Sequence, residues 1–180
     1  MVGYIMAKSK YIAVVSLLSA FSGVLQVFIA PLMFSVIQLP FGHDLIVFFF
    51  LLLSVWVVRR FGGATGVGVI SSLVVLFLRP GMFLVIGFVI SSFIFDLLMF
   101  VVKHSITFSI KNVFAVSLSI ILSAYVAGVI IGLVFMGGTF LWAFSIWGPL
   151  HAFGGAISLI LSYPVLVALE RTGVRKGSGF

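Results

Sequence analysis

Few side chains in this sequence can do chemistry. Most of them lie at those ends of the apolar runs that are expected to share one side of a membrane. The 180-residue chain has three acidic residues, three histidines and no cysteine. Ionisable groups inside a bilayer cost several kcal/mol and normally face a partner or a cavity. The candidate ligand-binding residues, which we expect to share an outer pocket, are Gln38, His43, Asp44, Arg79, Trp142, Trp147 and His151.

These residue types suit recognition of a small planar molecule. Trp142 and Trp147 could stack on a ring, and Arg79 could hold an anion or a carbonyl. An acid or an imidazole could bond ring nitrogen atoms. Two simpler interpretations stay open: tryptophans also anchor helices at the membrane interface, and Arg79 begins an Arg-Pro-Gly sequence typical of a charged tight turn. His151 lies one turn inside an apolar run, a position that favours a role in ligand binding or in a hydrogen-bond network.

Asp96 stands apart from this group, inside an apolar run and about 10 Å from its basic end. The expected role is structural, with the carboxyl group either hydrogen-bonded to neighbouring hydroxyls or protonated, and Ser92 lies one turn away on the same helix face. A role in proton relay or coupling is the alternative. Motifs of hydrolases, metalloproteases and phosphate-binding loops are absent from the sequence, so we expect no catalytic residue, no metal site and no cofactor.

Composition identifies the element type that must position these residues. Hydrophobic residues make up 63% of the chain and charged residues only 7%, against roughly a quarter charged in a soluble domain. A soluble enzyme is therefore excluded. Nucleic-acid binding is excluded despite a net charge of +7, because the cations lie between apolar runs and form no basic face. The expected fold is one all-α integral membrane domain.

Apolar runs of about 20 residues predict membrane-spanning helices. Pro31 is expected to stop the first span, and the stretch 31–41 to form a loop or a short interfacial helix. The second span is short, so its helix either begins earlier and includes His43 and Asp44, is extended by snorkelling arginines, or is re-entrant. The sequence predicts six spans, at 11–30, 45–58, 63–78, 82–102, 113–135 and 148–169.

The basic residues predict the orientation of these spans. With six crossings, nine of the ten cations share one side and only Arg79 lies opposite. Cytoplasmic loops carry the excess of lysine and arginine, so both termini are expected in the cytoplasm of a multi-pass protein of the cell membrane. The nine are Lys8, Lys10, Arg59, Arg60, Lys103, Lys111, Arg171, Arg175 and Lys176.

Stripes of small residues mark where helices can approach closely in lipid. Ala13, Ser16, Ala20 and Gly23 share one face of the first span, which could dock a partner subunit or pack internally, and the first three are the predicted docking residues. The fifth span carries Ala124, Gly128 and Gly132, where packing within the bundle is the expected role.

With these features, the chain resembles the substrate-binding S-component of an energy-coupling factor (ECF) transporter. The resemblance covers nearly the whole length and rests on the span layout, the stripe at Ala13, Ser16 and Ala20, and three sequence segments. These segments are RRFGGA at 59–64, SSFIFDL at 91–97 and HAFGGA at 151–156, and the basic exit at Glu170 and Arg171 also fits.

The resemblance implies a receptor that captures a vitamin or a related planar micronutrient from outside, under a lid formed by the first outer loop. It implies docking through the first-span stripe to a transmembrane coupling protein, driven by two cytoplasmic ATPase subunits. The amino-terminal histidine of the nickel and cobalt branch is absent, which argues against metal uptake. The alternatives are a structural or assembly subunit that binds only protein partners, and a small ion-coupled carrier that uses Asp96.

Overall fold

The computed structural model describes residues 8–173, which contain helices and no strand. The principal helices are α1 (Lys8–Ile37), α2 (Phe41–Val58), α3 (Gly63–Leu78), α4 (Val85–Leu98), α5 (Ile110–Ile130), the short α6 (Phe140–Trp142) and α7 (Gly148–Arg171). A 3₁₀ turn, Met99–Val102, extends α4, and π-helical segments at Ile131–Phe135 and Ala143–Trp147 follow α5 and α6.

The six long helices close into a ring around a core supplied largely by α2. Neighbours around the ring are α1, α3, α4, α5, α7 and α2, and α2 also contacts α3, α4 and α5. Phe48, Leu51, Leu52 and Val55 of α2 are fully buried. An apolar helix enclosed on several sides carries few polar residues, as the FFFLLLSVWVV sequence of α2 does.

The outer surface of the bundle is apolar. Phe77, Ile110 and Leu141 each expose more than three-quarters of their side-chain area. Within residues 8–173, five helical stretches are long and apolar enough to cross a membrane, and α3, with 16 residues, is shorter. A continuous apolar exterior around such helices is what lipid requires. The protein is therefore an all-α, multi-pass membrane protein.

The first helix extends well beyond the predicted span, because Pro31 does not end it. Proline removes one backbone hydrogen bond, yet membrane helices tolerate it where neighbouring helices support the backbone. Here α1 continues through Pro31 to Ile37, so no loop follows Ala30. The second helix begins at Phe41, which is the earlier start left open by the sequence and brings His43 and Asp44 into the first turn.

The other predicted spans match helices closely. The third agrees at both ends with α3, whose N-cap Gly62 has φ of 92° and whose C-cap is Arg79. The fourth begins three residues before α4, since Met82 to Leu84 form turns, and ends with the 3₁₀ turn. The fifth and sixth correspond to α5 with its π segment and to α7.

The basic residues of the described chain, apart from Arg79, belong to helix ends and turns at one end of the bundle, here called the basic end. Side-chain contacts join the start of α1 to the turn between α2 and α3: Arg60 lies 4.0 Å from the Tyr11 ring centroid, and the Tyr11 hydroxyl donates to the Gly62 carbonyl at 2.9 Å. Trp56 Nε1 donates to Glu170 Oε2 of α7 at 3.0 Å. Arg175 and Lys176 lie outside the described residues.

Candidate functional site

A cavity of about 350 Å³ opens at the end of the bundle opposite the basic end. We call this the cavity end. The volume is at the lower limit for sites that enclose small molecules. Both π-helical segments contribute to the wall, a helix irregularity that is frequent at functional sites. The lining residues are Ala30, Pro31, Phe34, Leu39, Pro40, His43, Arg79, Met82, Leu84, Phe88, Ile131, Phe135, Met136, Trp147 and His151.

The most polar feature of the site is a buried pair formed by Asp44 of α2 and His151 of α7. Asp44 Oδ1 lies 2.7 Å from His151 Nδ1, and the two side chains are 0% and 2% exposed. Burial of a charged or polar side chain in lipid demands such a partner. The pair therefore ties the first turn of α2 to the first turn of α7 and fixes the orientation of the imidazole.

Aromatic rings surround this imidazole. Trp147 meets the His151 ring edge-on, with ring centroids 5.7 Å apart, and Phe88 lies 5.8 Å from it on another side. Phe88 also stacks on His43 at 6.1 Å, and Trp142 stacks on Trp147 at 5.2 Å. Tilted and stacked rings at these separations attract one another.

Three ring nitrogen atoms of the cavity-lining residues are buried without a hydrogen-bond partner in the described part of the chain: His43 Nε2, Trp147 Nε1 and His151 Nε2. Most buried polar atoms in proteins are hydrogen-bonded, so each exception requires an explanation. All three atoms belong to residues that line the cavity, and because the atoms themselves are covered, a polar ligand would reach them through a small rotation of these side chains. The exposed Arg79 lies at the rim.

Two glycines permit the close approach that builds the site. A Cβ on Gly128 of α5 would lie 2.6 Å from the Trp147 carbonyl oxygen and 2.8 Å from His151 Cβ. A Cβ on Gly154 of α7 would lie 2.9 Å from the Asp44 Cβ. Real Cβ atoms do not occupy such positions, so α5, α7 and α2 reach this spacing because these residues are glycine.

The structure gathers four of the seven predicted ligand-binding residues around the cavity: His43, Arg79, Trp147 and His151. The other three do not line it. Asp44 lies behind His151, and Trp142 lies behind Trp147. Gln38 is exposed, with φ of 58°, and its Nε2 donates to the Ser35 carbonyl because α1 extends to the preceding residue.

Asp96 belongs to a separate cluster at the basic end. Its Oδ2 accepts hydrogen bonds from the Gly62 N–H at 2.8 Å, the Thr65 N–H at 3.0 Å and the Thr65 hydroxyl at 2.8 Å. Its Oδ1 lies 3.0 Å from His104 Nε2. A carboxylate in this place caps the positive end of α3. The expected bond to a hydroxyl is made to Thr65, whereas Ser92 donates to the Val89 carbonyl.

The small-residue stripe of α1 lies on the surface of the bundle. Ala13, Ser16 and Ala20 are all exposed. In contrast, the stripe of α5 is covered by other helices: Ala124 lies against Gly155, and Gly128 against His151. Of the two stripes, only that of α1 is therefore accessible to a partner helix.

Two further residues shape these sites and were not predicted from the sequence, Phe88 and His104. A phenylalanine in an apolar helix carries no signal that distinguishes it from other core residues. His104 had a usable signal, since a histidine eight residues after the intramembrane Asp96 can reach it where a helix ends. Within residues 8–173, no group of three or more metal-binding side chains occurs.

Among the described residues, the polar side chains that line the cavity are His43, Arg79, Trp147 and His151, and no serine, threonine or lysine lines it. Comparison with known proteins adds no identity: no family model, curated protein or solved structure matches the chain.

Proposed function

We propose that this protein is a membrane-embedded solute receptor, the substrate-specificity subunit of an ATP-driven importer of the energy-coupling factor type. In this proposal six helices cross the cell membrane, both termini are cytoplasmic, and the cavity faces outward. The observation that carries the proposal is the set of three buried, unpartnered ring nitrogens among the residues lining one aromatic cavity. A small planar solute would satisfy them and would stack on the rings.

The charge distribution supports the orientation. Lys10, Arg59, Arg60, Lys103, Lys111 and Arg171 belong to helix ends and turns opposite the cavity. Cytoplasmic loops are the basic ones, so an outward cavity follows. The sixth crossing would be α3, which at 16 residues spans about 24 Å and reaches the interfaces only with its flanking arginines Arg60 and Arg79.

The partners follow from the same proposal. The chain has no phosphate-binding loop of its own, so energy would come from two cytoplasmic ATPase subunits through a transmembrane coupling protein. The exposed stripe of Ala13, Ser16 and Ala20 supports helix-to-helix docking on α1, because small residues let backbones approach closely in lipid. The protein itself would catalyse no reaction.

The test is extraction of the bound solute. Protein purified gently in lipid particles from its host should release a planar aromatic metabolite on denaturation, detected by mass spectrometry. Trp147→Ala and Arg79→Ala should lower the amount retained. Phe140→Ala is the matched control, because Phe140 lies in the same segment and is exposed outside the cavity. No retained solute in the unmodified protein, or equal retention in all variants, would contradict the proposal.

One observation favours a second candidate, a structural subunit that binds only other proteins. The exposed α1 stripe would serve that role equally well. Such a subunit would retain no solute, and Ala20→Leu would dissociate its complex without altering the cavity. The ion-coupled carrier is less well supported, since both carboxylate oxygens of Asp96 are engaged in capping α3 and in contacting His104.

A further inference from the structure

The Asp44–His151 pair determines which hydrogen bond the cavity can make with a ligand. The Nδ1–Oδ1 distance of 2.7 Å fits a hydrogen bond that His151 Nδ1 donates, the arrangement of an ionised carboxylate beside a neutral imidazole, since a carboxylate only accepts. The other ring nitrogen, Nε2, then has a lone pair and points away from Asp44. It is buried and lacks a partner among residues 8–173.

The Trp147 ring, next to that of His151, offers a hydrogen-bond donor. An indole Nε1 only donates, and in Trp147 this atom is also buried and unpartnered within the described chain. The two rings adjoin, with centroids 5.7 Å apart. An acceptor and a donor therefore belong to neighbouring rings of the same cavity wall.

We propose that the cavity selects planar molecules with a cyclic amide or ureido edge. The ligand N–H donates to His151 Nε2, and the adjacent carbonyl accepts from Trp147 Nε1. This inference rests on the proposed solute receptor and names its ligand chemistry. A molecule that lacks either group leaves a buried polar atom unpaired, and sites of that kind reject such analogues strongly.

Asp44 is a positioning residue in this scheme. It does not line the cavity, and it acts by fixing the protonated nitrogen of His151. An asparagine can rotate its amide to donate to Nδ1, which moves the proton to Nε2 and turns the acceptor into a donor. The replacement of a buried aspartate by asparagine in a catalytic triad changes the histidine tautomer in this way.

The first test reads the tautomer directly and needs no ligand. The full chain, labelled with ¹⁵N-histidine and held in lipid nanodiscs at neutral pH, is studied by NMR, with His43→Gln and His104→Gln used for assignment. We expect a protonated Nδ1 and an unprotonated Nε2 for His151, and the reverse in Asp44→Asn. A protonated Nε2 in the unmodified protein would overturn the inference.

The second test compares two probes of nearly the same shape, 2-quinolone and coumarin. Both have the carbonyl, but coumarin has a ring oxygen where 2-quinolone has the N–H. We expect 2-quinolone to bind at least about tenfold more tightly, the worth of one buried hydrogen bond. Asp44→Asn should abolish this preference, whereas Trp147→Phe should weaken both probes equally and keep it.

The outcomes separate this inference from the proposed function. Equal affinities for the two probes, or binding of neither while Nε2 carries its lone pair, would overturn the selection of an amide edge. The receptor itself would stand as long as a solute is extracted from the purified protein. If Asp44→Asn fails to fold, the tautomer in the unmodified protein and the Trp147→Phe comparison still decide the matter.

Discussion

Replacement of Asp96 by alanine tests the claim that this carboxylate holds α3 against α4. The substitution leaves two backbone N–H groups, of Gly62 and Thr65, and one hydroxyl without their acceptor. It also removes one of the two oxygens of residue 96 that His104 Nε2 contacts, the backbone carbonyl being the other. Each buried donor left unpaired costs about 1–3 kcal/mol, and loss of an N-cap about 0.5–2 kcal/mol. Because these losses overlap, we expect a total of about 3–5 kcal/mol.

The assay is reversible unfolding in mixed micelles, followed by tryptophan fluorescence. Asp96→Asn keeps one carbonyl oxygen for the α3 N–H groups, so it should lose clearly less stability than Asp96→Ala. Ser92→Ala is the matched control, because the Ser92 hydroxyl bonds only the carbonyl of its own helix. Unchanged stability in Asp96→Ala together with loss of proton-coupled transport would refute the capping role and favour the carrier.

Three further predictions concern the site, the orientation and the partner. Gly128→Ala should push α7 away from α5, because the added methyl group meets backbone and His151 atoms. We expect this overpacking to cost about 1–3 kcal/mol of stability and to lower solute retention. Normal retention would contradict this. The chain has no cysteine, so single cysteines can report which side of the membrane they face. On intact cells, a membrane-impermeant maleimide should label Pro80→Cys and not Thr172→Cys. The reverse pattern would show that the cavity end faces the cytoplasm. Ala20→Leu should preserve stability, because Ala20 is exposed, and abolish co-purification of the coupling protein; an intact complex would place the docking surface elsewhere.

Local sequence signals located the six long helices but not all of their ends. The ends of α3 follow from Gly62, which adopts a left-handed conformation, and from the Arg79-Pro80-Gly81 turn, so both ends agree with the structure. The predicted end of the first span at Pro31 was wrong, because proline ends helices strongly in water and more weakly in lipid, where packing supports the helix. The boundary of α1 therefore depends on tertiary context.

The site was only partly predictable for a related reason. Polar residues at one end of the spans indicated which residues could meet, and His43, Arg79, Trp147 and His151 do line one cavity. Their arrangement depends on contacts between distant parts of the chain. Asp44 and His151 are 107 residues apart, so nothing local shows that Asp44 lies behind the imidazole rather than in the wall.

The central claim is that the cavity holds an outside solute between aromatic rings and unpaired ring nitrogens. The most direct measurement is an experimental density map of the protein purified gently from its host in lipid particles. The account predicts compact, planar density that is not protein, within hydrogen-bond distance of His151 Nε2 and Trp147 Nε1. A cavity filled by side chains, or occupied only by a lipid chain, would contradict it.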